Sequence, residues 1–301
     1  MFVLCTAVIS GFSVFINKFG VKGVDPYFYT YVKNIVAGLM LVSILFLAAN
    51  WKSFFALAGK DKMKLFLVAL IGGSIPFLFF FKGLTMTSAV KAGFIHKTLF
   101  IYVGILAVVF LKEKVTKSML FGLVILVLGS VLFLKIKPQA LGMGDLYVFI
   151  ATVLWAVEII IAKKVLANVS GTMVGSVRLF VGSFFILMFL LFTGRAELFG
   201  TINFDIVKWG IISGALLAVY NFTFYNGLKY LGATEAAAIL TLGAPITGVL
   251  TVIFLEGTMS NQEIFGIGFI ILGIILVSNF IKNIFKFNKL LAIGSELLAK
   301  L

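Results

Sequence analysis

Residues 233–255 read ATEAAAILTLGAPITGVLTVIFL, a stretch of 23 residues dominated by apolar side chains. An α-helix rises about 1.5 Å per residue, so this run is long enough to cross a bilayer hydrocarbon core of about 30 Å. Nine further runs of comparable length occur in the chain. The ten predicted spans lie near residues 2–19, 28–49, 65–81, 92–111, 118–134, 145–162, 171–192, 207–226, 233–255 and 264–281.

The composition agrees with a chain that lies almost entirely in a membrane. Apolar residues make up 62% of the 301 residues and charged residues 12%, whereas a soluble domain carries roughly a quarter charged residues. Isolated strands would leave backbone groups unpaired in lipid, and a barrel would show short alternating segments. The sequence therefore predicts an all-α polytopic membrane protein with ten transmembrane helices, and it excludes soluble, disordered and fibrous classes.

The basic residues predict the orientation. The net charge is +14, and because the lysines flank apolar runs we expect lipid headgroups, not nucleic acid, as their counter-ions. Fourteen basic residues fall on the side of the two termini, eight on the other side and three inside spans. The positive-inside rule then predicts a multi-pass protein of the cytoplasmic membrane with both termini cytoplasmic. The first run starts at Met1 without a basic leader, so we predict a mature span and no cleavable signal.

The two halves of the chain resemble each other. A shift of 145 residues places Lys18 on Lys163 and Lys33 on Arg178. A nearly constant shift over a whole half indicates an internal repeat. A shift of 144 residues aligns Gly83 with Gly227, Phe110-Leu111 with Phe254-Leu255, Phe121 with Phe265, Gly122 with Gly266 and Gly129 with Gly273.

The repeat predicts inverted topology. Each half holds five spans, and an odd number makes the second half enter the membrane from the opposite side, an arrangement that serves alternating access. We predict a first five-helix repeat over residues 1–137, a second over 138–281 and an amphipathic cytoplasmic tail over 282–301. The tail is typical of an interfacial helix, with a frayed end as the alternative. Its apolar residues among the lysines are Phe285, Phe287, Leu290 and Leu291.

Over residues 1–281 this pattern resembles the EamA-type drug/metabolite transporter superfamily, which has ten helices in two five-helix repeats. The fourth span departs from it, because Ile101 stands where the ninth span has Pro245. The resemblance implies a transporter whose central cavity is lined by the first, third, fourth, sixth, eighth and ninth helices, and it implies no single substrate. The motifs that carry it are AAAILTLGAP at 236–245, Phe254-Leu255-Glu256, Gly266 and Gly273 in the second half, and FLKEK at 110–114, Gly122 and Gly129 in the first.

Ionisable groups inside spans cost roughly 2.5–3.5 kcal/mol each on insertion scales, so each one needs a reason. Glu158 is the one acid deep in a predicted span, and it follows Trp155 by one turn. The resemblance implies that both side chains face the cavity. Glu158 could then bind a cationic group or take up a proton; the alternative is a fixed ion pair with Lys97 or His96.

The basic residues inside spans have competing interpretations. His96 and Lys97 point roughly 100° apart on a helix, so we predict that one of them, Lys97, faces the cavity. His96 either titrates near neutral pH or is a hydrogen-bonded packing residue. Lys33 and Arg178 are repeat equivalents near opposite membrane faces. They either snorkel towards headgroups or serve as a pair of gates, one on each side.

Aromatic and polar side chains predict the rest of a binding site. Tyr220 and Phe224 share one face of the eighth span and Asn221 lies on the next. By repeat symmetry Phe80 of the third span faces them, and Ser13 of the first span adds a hydroxyl. Aromatic walls with a few polar points suit a small organic solute, whereas lipid-facing phenylalanines are the alternative.

Prolines and glycines predict helix geometry. Pro76 and Pro245 should kink their helices, because proline lacks a backbone donor and frees carbonyls that a cavity or a neighbouring helix must satisfy. Glycines on the fifth and tenth spans let helices approach closely, either within the chain or in a homodimer. These glycines are Gly122, Gly129, Gly266 and Gly273.

Several functional classes are excluded by what the sequence lacks. It has no Gly-rich phosphate loop ending in Lys-Ser/Thr, so a nucleotide-driven pump is not expected. One histidine, one deep acid and the single Cys5 cannot build a metal centre or a disulfide. We therefore predict no enzyme activity, no cofactor and no metal.

The sequence favours a secondary transporter that works by alternating access across the cytoplasmic membrane. Three buried basic residues and His96 face one acid, which indicates a small polar solute with an anionic group, amino acid-like or otherwise anionic or zwitterionic. Proton coupling is one option. The alternative is a non-transporting membrane scaffold, or a subunit that handles a lipid-linked group, with an apolar seam between the halves. The expected partners are a small-molecule substrate, the lipid bilayer and, as one option, a second copy of the chain.

Overall fold

A computed structural model describes residues 1–48, 51–135, 140–255 and 257–278, and every regular element in this part of the chain is a helix. The predicted all-α class is thereby confirmed. A π-helical turn at Val68–Gly72 joins α4 to α5, and a 3-10 turn at Leu240–Leu242 joins α12 to α13. The α-helices are α1 (Phe2–Gly20), α2 (Pro26–Leu47), α3 (Lys52–Phe55), α4 (Gly59–Leu67), α5 (Ile75–Leu84), α6 (Ala89–Lys97), α7 (Leu99–Leu111), α8 (Lys117–Phe133), α9 (Met143–Val165), α10 (Gly171–Phe192), α11 (Phe204–Leu228), α12 (Ala233–Ile239), α13 (Gly243–Phe254) and α14 (Asn261–Val277).

The lengths of these helices identify a polytopic membrane protein. Eight helical segments in the described residues are long and apolar enough to cross a bilayer. The apolar helices α8 and α14 have 17 residues each and so reach about 25 Å, slightly less than a hydrocarbon core. The count of ten spans therefore stays a prediction. The predicted amphipathic tail at 282–301 lies outside the described residues.

Equivalent helices of the two halves pack against each other in opposite directions. Tyr27 of α2 lies against Phe189 of α10, with ring centroids 5.2 Å apart. Near the other end of α2, Leu41 approaches Gly175, and a Cβ on that glycine would lie 3.2 Å from a Leu41 methyl. Because the residue numbers rise along α2 while they fall along α10, the two helices are antiparallel.

The α8–α14 pair repeats this antiparallel arrangement at closer range. A Cβ on Gly122 would lie 2.8 Å from the carbonyl oxygen of Gly273, and a Cβ on Gly129 would lie 2.8 Å from the amide nitrogen of Ile270. The absence of side chains at these glycines lets the two backbones touch. The predicted glycine contacts therefore occur within one chain, and a homodimer stays a prediction.

The third predicted span is interrupted directly before Pro76. Proline cannot donate to the carbonyl four residues earlier, which belongs to Gly72. The indole Nε1 of Trp155 donates to that carbonyl at 3.2 Å, and the Asn34 side-chain amide donates to the next one, of Gly73, at 3.3 Å. Neighbouring helices thus satisfy the carbonyls at the break, as buried backbone in a membrane requires.

The fourth and ninth predicted spans are interrupted at equivalent positions. The 3-10 turn Leu240–Leu242 precedes Pro245 in the ninth. In the fourth, which has no proline there, the helix breaks at Thr98, whose hydroxyl donates to the Ile95 carbonyl at 2.6 Å. Discontinuous helices in corresponding places of two halves are typical of transporter binding sites.

One end of the bundle is held by charged side chains on backbone groups. Glu113, just after α7, accepts from the Ala233 amide at 2.6 Å and from the Thr234 hydroxyl at 2.9 Å, and so caps α12. The Lys163 ammonium donates to the carbonyls of Leu228 and Leu231, both at 2.7 Å. These contacts fasten the connection between α11 and α12 to helices α7 and α9.

Candidate functional site

A cavity of about 290 Å³ lies between α1, α2, α9, α10 and α11 and the interrupted spans α4–α5, α6–α7 and α12–α13. This volume is near the lower end of the range for small-molecule sites. The wall combines aromatic rings with four basic side chains and one acid. It is formed by Ser10, Ser13, Val14, Lys33, Phe77, Phe80, Phe81, His96, Lys97, Leu99, Trp155, Glu158, Ile159, Arg178, Leu217, Tyr220, Phe224, Ala237, Leu240 and Thr241.

Most residues that the sequence singled out lie on this wall. Asn221 does not, because it is fully buried behind the wall at 0% exposure. Pro76 and Pro245 lie beside the helix breaks and not on the wall. Phe77 and Phe81 also lie on the wall and were not predicted. They lie three residues before and one residue after the predicted Phe80 on the same helix, and this proximity could have indicated them. The predicted residues on the wall are Ser13, Lys33, Phe80, His96, Lys97, Trp155, Glu158, Arg178, Tyr220 and Phe224.

Glu158 is held by Arg178 and Tyr225. Its Oε2 lies 4.0 Å from the Arg178 Nε, and its Oε1 accepts from the Tyr225 hydroxyl at 2.7 Å. The acid is 1% and the arginine 8% exposed. The alternative of an ion pair between Glu158 and Lys97 or His96 is therefore wrong. Helices α9 and α10 both pack against the π-helical turn Val68–Gly72, where Gly72 leaves room for the acid and the guanidinium, whereas the broken fourth span directs its basic residues into the cavity.

Helix α11 orients both members of this pair. Asn221 accepts from the Arg178 Nη1 at 2.7 Å through its Oδ1, and it lies one turn before Tyr225, which holds Glu158. Arg178 is thus held by one hydrogen bond from its Nη1 and by the ion pair, while its buried Nε has no hydrogen-bond partner among the described residues, and it does not snorkel to headgroups. Its predicted place near the membrane face opposite Lys33 is also wrong, since both cations line the same cavity.

His96 and Lys97 both lie on the wall, in contrast to the expectation that one at most would do so. Both residues belong to the last turn of α6, where the rotation of roughly 100° between neighbours still applies; the reason is that the cavity borders more than one face of this short helix. The imidazole packs edge-on against Trp155, with ring centroids 4.9 Å apart. Its Nδ1 is buried and has no hydrogen-bond partner among the described residues.

Lys33 points into a group of aromatic rings. Its Nζ lies 5.8 Å from the centre of the Phe77 ring, 5.9 Å from that of Tyr29 and 6.0 Å from that of Phe81. Within the described part of the chain, no carboxylate lies within 4.0 Å of the Lys33 or Lys97 ammonium. Since Glu158 faces Arg178, the wall carries two positive charges without a protein counter-charge.

The remaining wall is an aromatic surface. Trp155 contacts Phe77 and Phe80, with ring centroids 5.2 and 5.6 Å apart, and Tyr220 stacks on Phe224 at 6.0 Å. Such a surface can cover the apolar body of an organic solute while the cations bind an anionic group. No group of three His, Cys, Asp or Glu residues that could hold a metal occurs in the described residues.

The model of the EamA-like transporter family matches this chain over residues 1–135 and 142–279. The match covers nearly the whole sequence, so the chain belongs to the EamA-like transporter family. The resemblance seen in the sequence is thereby confirmed, and the chain is a membrane transporter of this family.

Relatives in bacteria and archaea span most of the chain. The "Uncharacterized transporter YyaM" of Bacillus subtilis (strain 168) is 24% identical over 85% of this chain and 84% of its own length. The "Uncharacterized transporter YetK" of the same organism is 26% identical over 88% and 82%, and an "Uncharacterized transporter" of Archaeoglobus fulgidus is 26% identical over 86% and 91%. A protein of known crystal structure superimposes with a TM-score of 0.73 and 14% identity, covering 94% of this chain and 97% of its own, which supports the fold.

Proposed function

We propose that this protein is a secondary transporter that moves a small organic anion or zwitterion, amino acid-like in size, across the cytoplasmic membrane by alternating access. The observation that carries the proposal is the symmetry of the cavity wall. Residues related by the repeat come from different halves and line the same cavity. The pairs are Ser10 with Trp155, Ser13 with Glu158, Val14 with Ile159 and Lys33 with Arg178 at a shift of 145, and Phe80 with Phe224, His96 with Leu240 and Lys97 with Thr241 at a shift of 144.

The antiparallel packing of equivalent helices supports alternating access. Two halves with the same shape and opposite orientation can exchange conformations, and the exchange would move the opening of a shared cavity from one side of the membrane to the other. The interruptions before Pro76 and Pro245 and at Thr98 lie beside this cavity. We propose that helix segments hinge at these points. We also propose that both termini face the cytoplasm, from the distribution of basic residues.

The charge of the wall supports an anionic or zwitterionic solute. Lys33, Lys97 and Arg178 oppose one carboxylate, that of Glu158, on the wall of this cavity. An anionic group of a solute would reduce the cost of burying the unpaired cations. Polar and charged groups from both halves converge on one void, and this convergence favours a transporter over a scaffold with an apolar seam.

Uptake into proteoliposomes tests the proposal. The purified protein should first be screened by thermal shift against amino acids, organic acids, sugars and organic cations, since a ligand of the folded state raises the melting temperature. Solutes that raise it should then be offered as radiolabelled compounds. We expect saturable uptake of an anionic or zwitterionic solute, absent from protein-free vesicles. Selective uptake of cations or of neutral sugars would contradict the proposed substrate class.

Replacement of Glu158 by glutamine separates two roles of this acid. Both carboxylate oxygens face a cationic or hydroxyl group of the protein, which supports a fixed ion pair more than a proton site. We therefore expect Glu158→Gln to lower the melting temperature and the uptake rate while the remaining uptake keeps its dependence on a pH gradient. Uptake by wild type and variant is compared with and without an imposed gradient. Loss of the pH-gradient dependence at an unchanged melting temperature would instead assign proton coupling to Glu158.

A further inference from the structure

We infer that Ser13 and Lys33 form the subsite for a carboxylate group of the substrate, and that this carboxylate takes the place that Glu158 occupies in the other half of the protein. The inference rests on the proposed function, because it assumes that the cavity binds a solute. It adds the chemical group, its position and the residues that recognise it.

The second half contains a complete ion-pair network. Arg178 carries the charge, Glu158 provides the counter-charge at 4.0 Å, and two residues of α11 hold the pair. Asn221 accepts from the guanidinium at 2.7 Å and Tyr225 donates to the carboxylate at 2.7 Å. The guanidinium also lies over the Tyr225 ring, 5.9 Å from its centre. This network has no net charge.

The first half has a cation over aromatic rings at the equivalent position, but different side chains surround it. At the shift of 145, Lys33 is equivalent to Arg178; at the shift of 144, Phe77 and Phe81 are equivalent to the two α11 residues of the network. The Lys33 ammonium lies over both phenylalanine rings, at 5.8 and 6.0 Å, as the guanidinium lies over the tyrosine. The equivalent of the acid is Ser13. The cation is therefore retained, while its acidic, amide and phenol partners are replaced by a serine and two phenylalanines.

These replacements open the position of the missing acid to the cavity. Ser13, Lys33, Phe77 and Phe81 all line it, whereas Asn221 and Tyr225 do not. A serine side chain is shorter than a glutamate, so the place of the Glu158 carboxylate is free in the first half. Among the described residues Lys33 has no carboxylate within 4.0 Å, and aromatic rings attract a cation without accepting a charge-assisted hydrogen bond from it.

A substrate carboxylate completes the first-half network. One oxygen can accept from the Lys33 ammonium and the other from the Ser13 hydroxyl, whose oxygen accepts from the Asn17 side-chain amide at 3.4 Å and whose hydrogen is left to donate. The rings of Phe77 and Trp155, whose centroids are 5.2 Å apart, then cover the carbon next to the carboxylate. Lys97 is the equivalent of Thr241 and not of a member of the ion-pair network.

Ser13→Glu is the decisive variant, because it installs the missing acid. The new carboxylate should occupy the subsite itself, as Glu158 does in the second half. We expect the unliganded melting temperature to stay at or above that of wild type, while the thermal shift caused by carboxylate ligands is lost. Ser13→Gln is the matched control of nearly equal size without the charge, and it should lose less of the ligand response than Ser13→Glu.

Lysine variants test the same subsite independently of how Ser13→Glu folds. Lys33→Gln should weaken binding about ten- to hundredfold, the range for a lost charge-assisted hydrogen bond in a shielded site, and Lys33→Arg should recover part of it. Lys82→Gln removes a lysine that lies outside the wall and should bind as wild type does. The probes are phenylalanine, leucine and 3-phenylpropionate, each compared with its carboxamide, which lacks the anionic carboxylate.

The outcomes separate this inference from the proposed function. Wild type should respond to at least one acid and not to its amide. Equal responses to acid and amide, or a full carboxylate response in Ser13→Glu or Lys33→Gln, would overturn the subsite while leaving transport intact. Wild-type transport of non-carboxylate solutes without any response to the acids would also overturn it. If wild-type vesicles transport no solute of any class, the proposed function itself fails.

Discussion

Replacing Arg178 by methionine should lower the free energy of unfolding by about 3–5 kcal/mol, the range for breaking a buried ion pair by removing one partner. The carboxylate of Glu158 is 1% exposed and would keep the Tyr225 hydroxyl as its remaining polar contact. Asn221 would also lose the donor to its Oδ1. The measurement is equilibrium unfolding of wild type and variant in the same detergent micelles.

The double variant Glu158→Gln with Arg178→Met is the control for this result. Replacing both members of a buried pair by neutral groups is often close to neutral, so the double variant should recover most of the lost stability. A single Arg178→Met variant within about 1 kcal/mol of wild type would show that the pair is solvated. The network of Glu158, Arg178, Asn221 and Tyr225 would then not be a fixed structural unit.

The second large effect should come from Gly182→Leu. A Cβ at Gly182, one turn after Arg178, would lie 2.8 Å from the Gly73 Cα and 2.9 Å from its carbonyl carbon and oxygen. All three are backbone atoms beside the interruption before Pro76, so no side chain can move aside. We expect a loss of about 3 kcal/mol, the upper end for overpacking. Because the displaced backbone carries cavity residues, uptake should fall with it.

Gly268→Leu is the matched control. It makes the same change in a helix, yet nothing lies within 4 Å of the added Cβ. Removing a glycine from a helix interior gains roughly 0.5–1 kcal/mol, so this variant should be as stable as wild type or slightly more stable. Equal melting temperatures for the two variants would contradict the close contact between α10 and the α4–α5 interruption.

The elements of the fold could be predicted from the sequence because lipid imposes simple rules. Apolar runs such as 171–192 coincide with helices, here α10 at Gly171–Phe192, since a membrane span must satisfy its backbone internally. The start of the third span, predicted near residue 65, was less accurate. Its helix begins at Gly59, because a polar first turn extends the helix beyond the apolar stretch.

The partners within the site could not be predicted in the same way. Which base meets Glu158 depends on how α9 and α10 both pack against the π-helical turn Val68–Gly72, and hydropathy does not encode this packing. The position of Asn221 behind the wall follows from its bond to Arg178, a contact between two helices. The cavity borders more than one face of α6, and a helical periodicity does not encode the width of a cavity, so the joint position of His96 and Lys97 on the wall was also missed.

The glycine contact between α8 and α14 has a mechanical consequence for any rocking of the halves. This contact joins one helix of each half. A Cβ at Gly266 would lie 2.5 Å from the amide nitrogen of Phe133, so the two helices are too close to slide past each other. In the proposed alternating-access cycle, this contact would be the pivot, where the movement between inward- and outward-facing forms is smallest. Spin labels placed on α8 and α14 should keep a constant separation during turnover, while the distance between labels on opposite sides of the cavity should change.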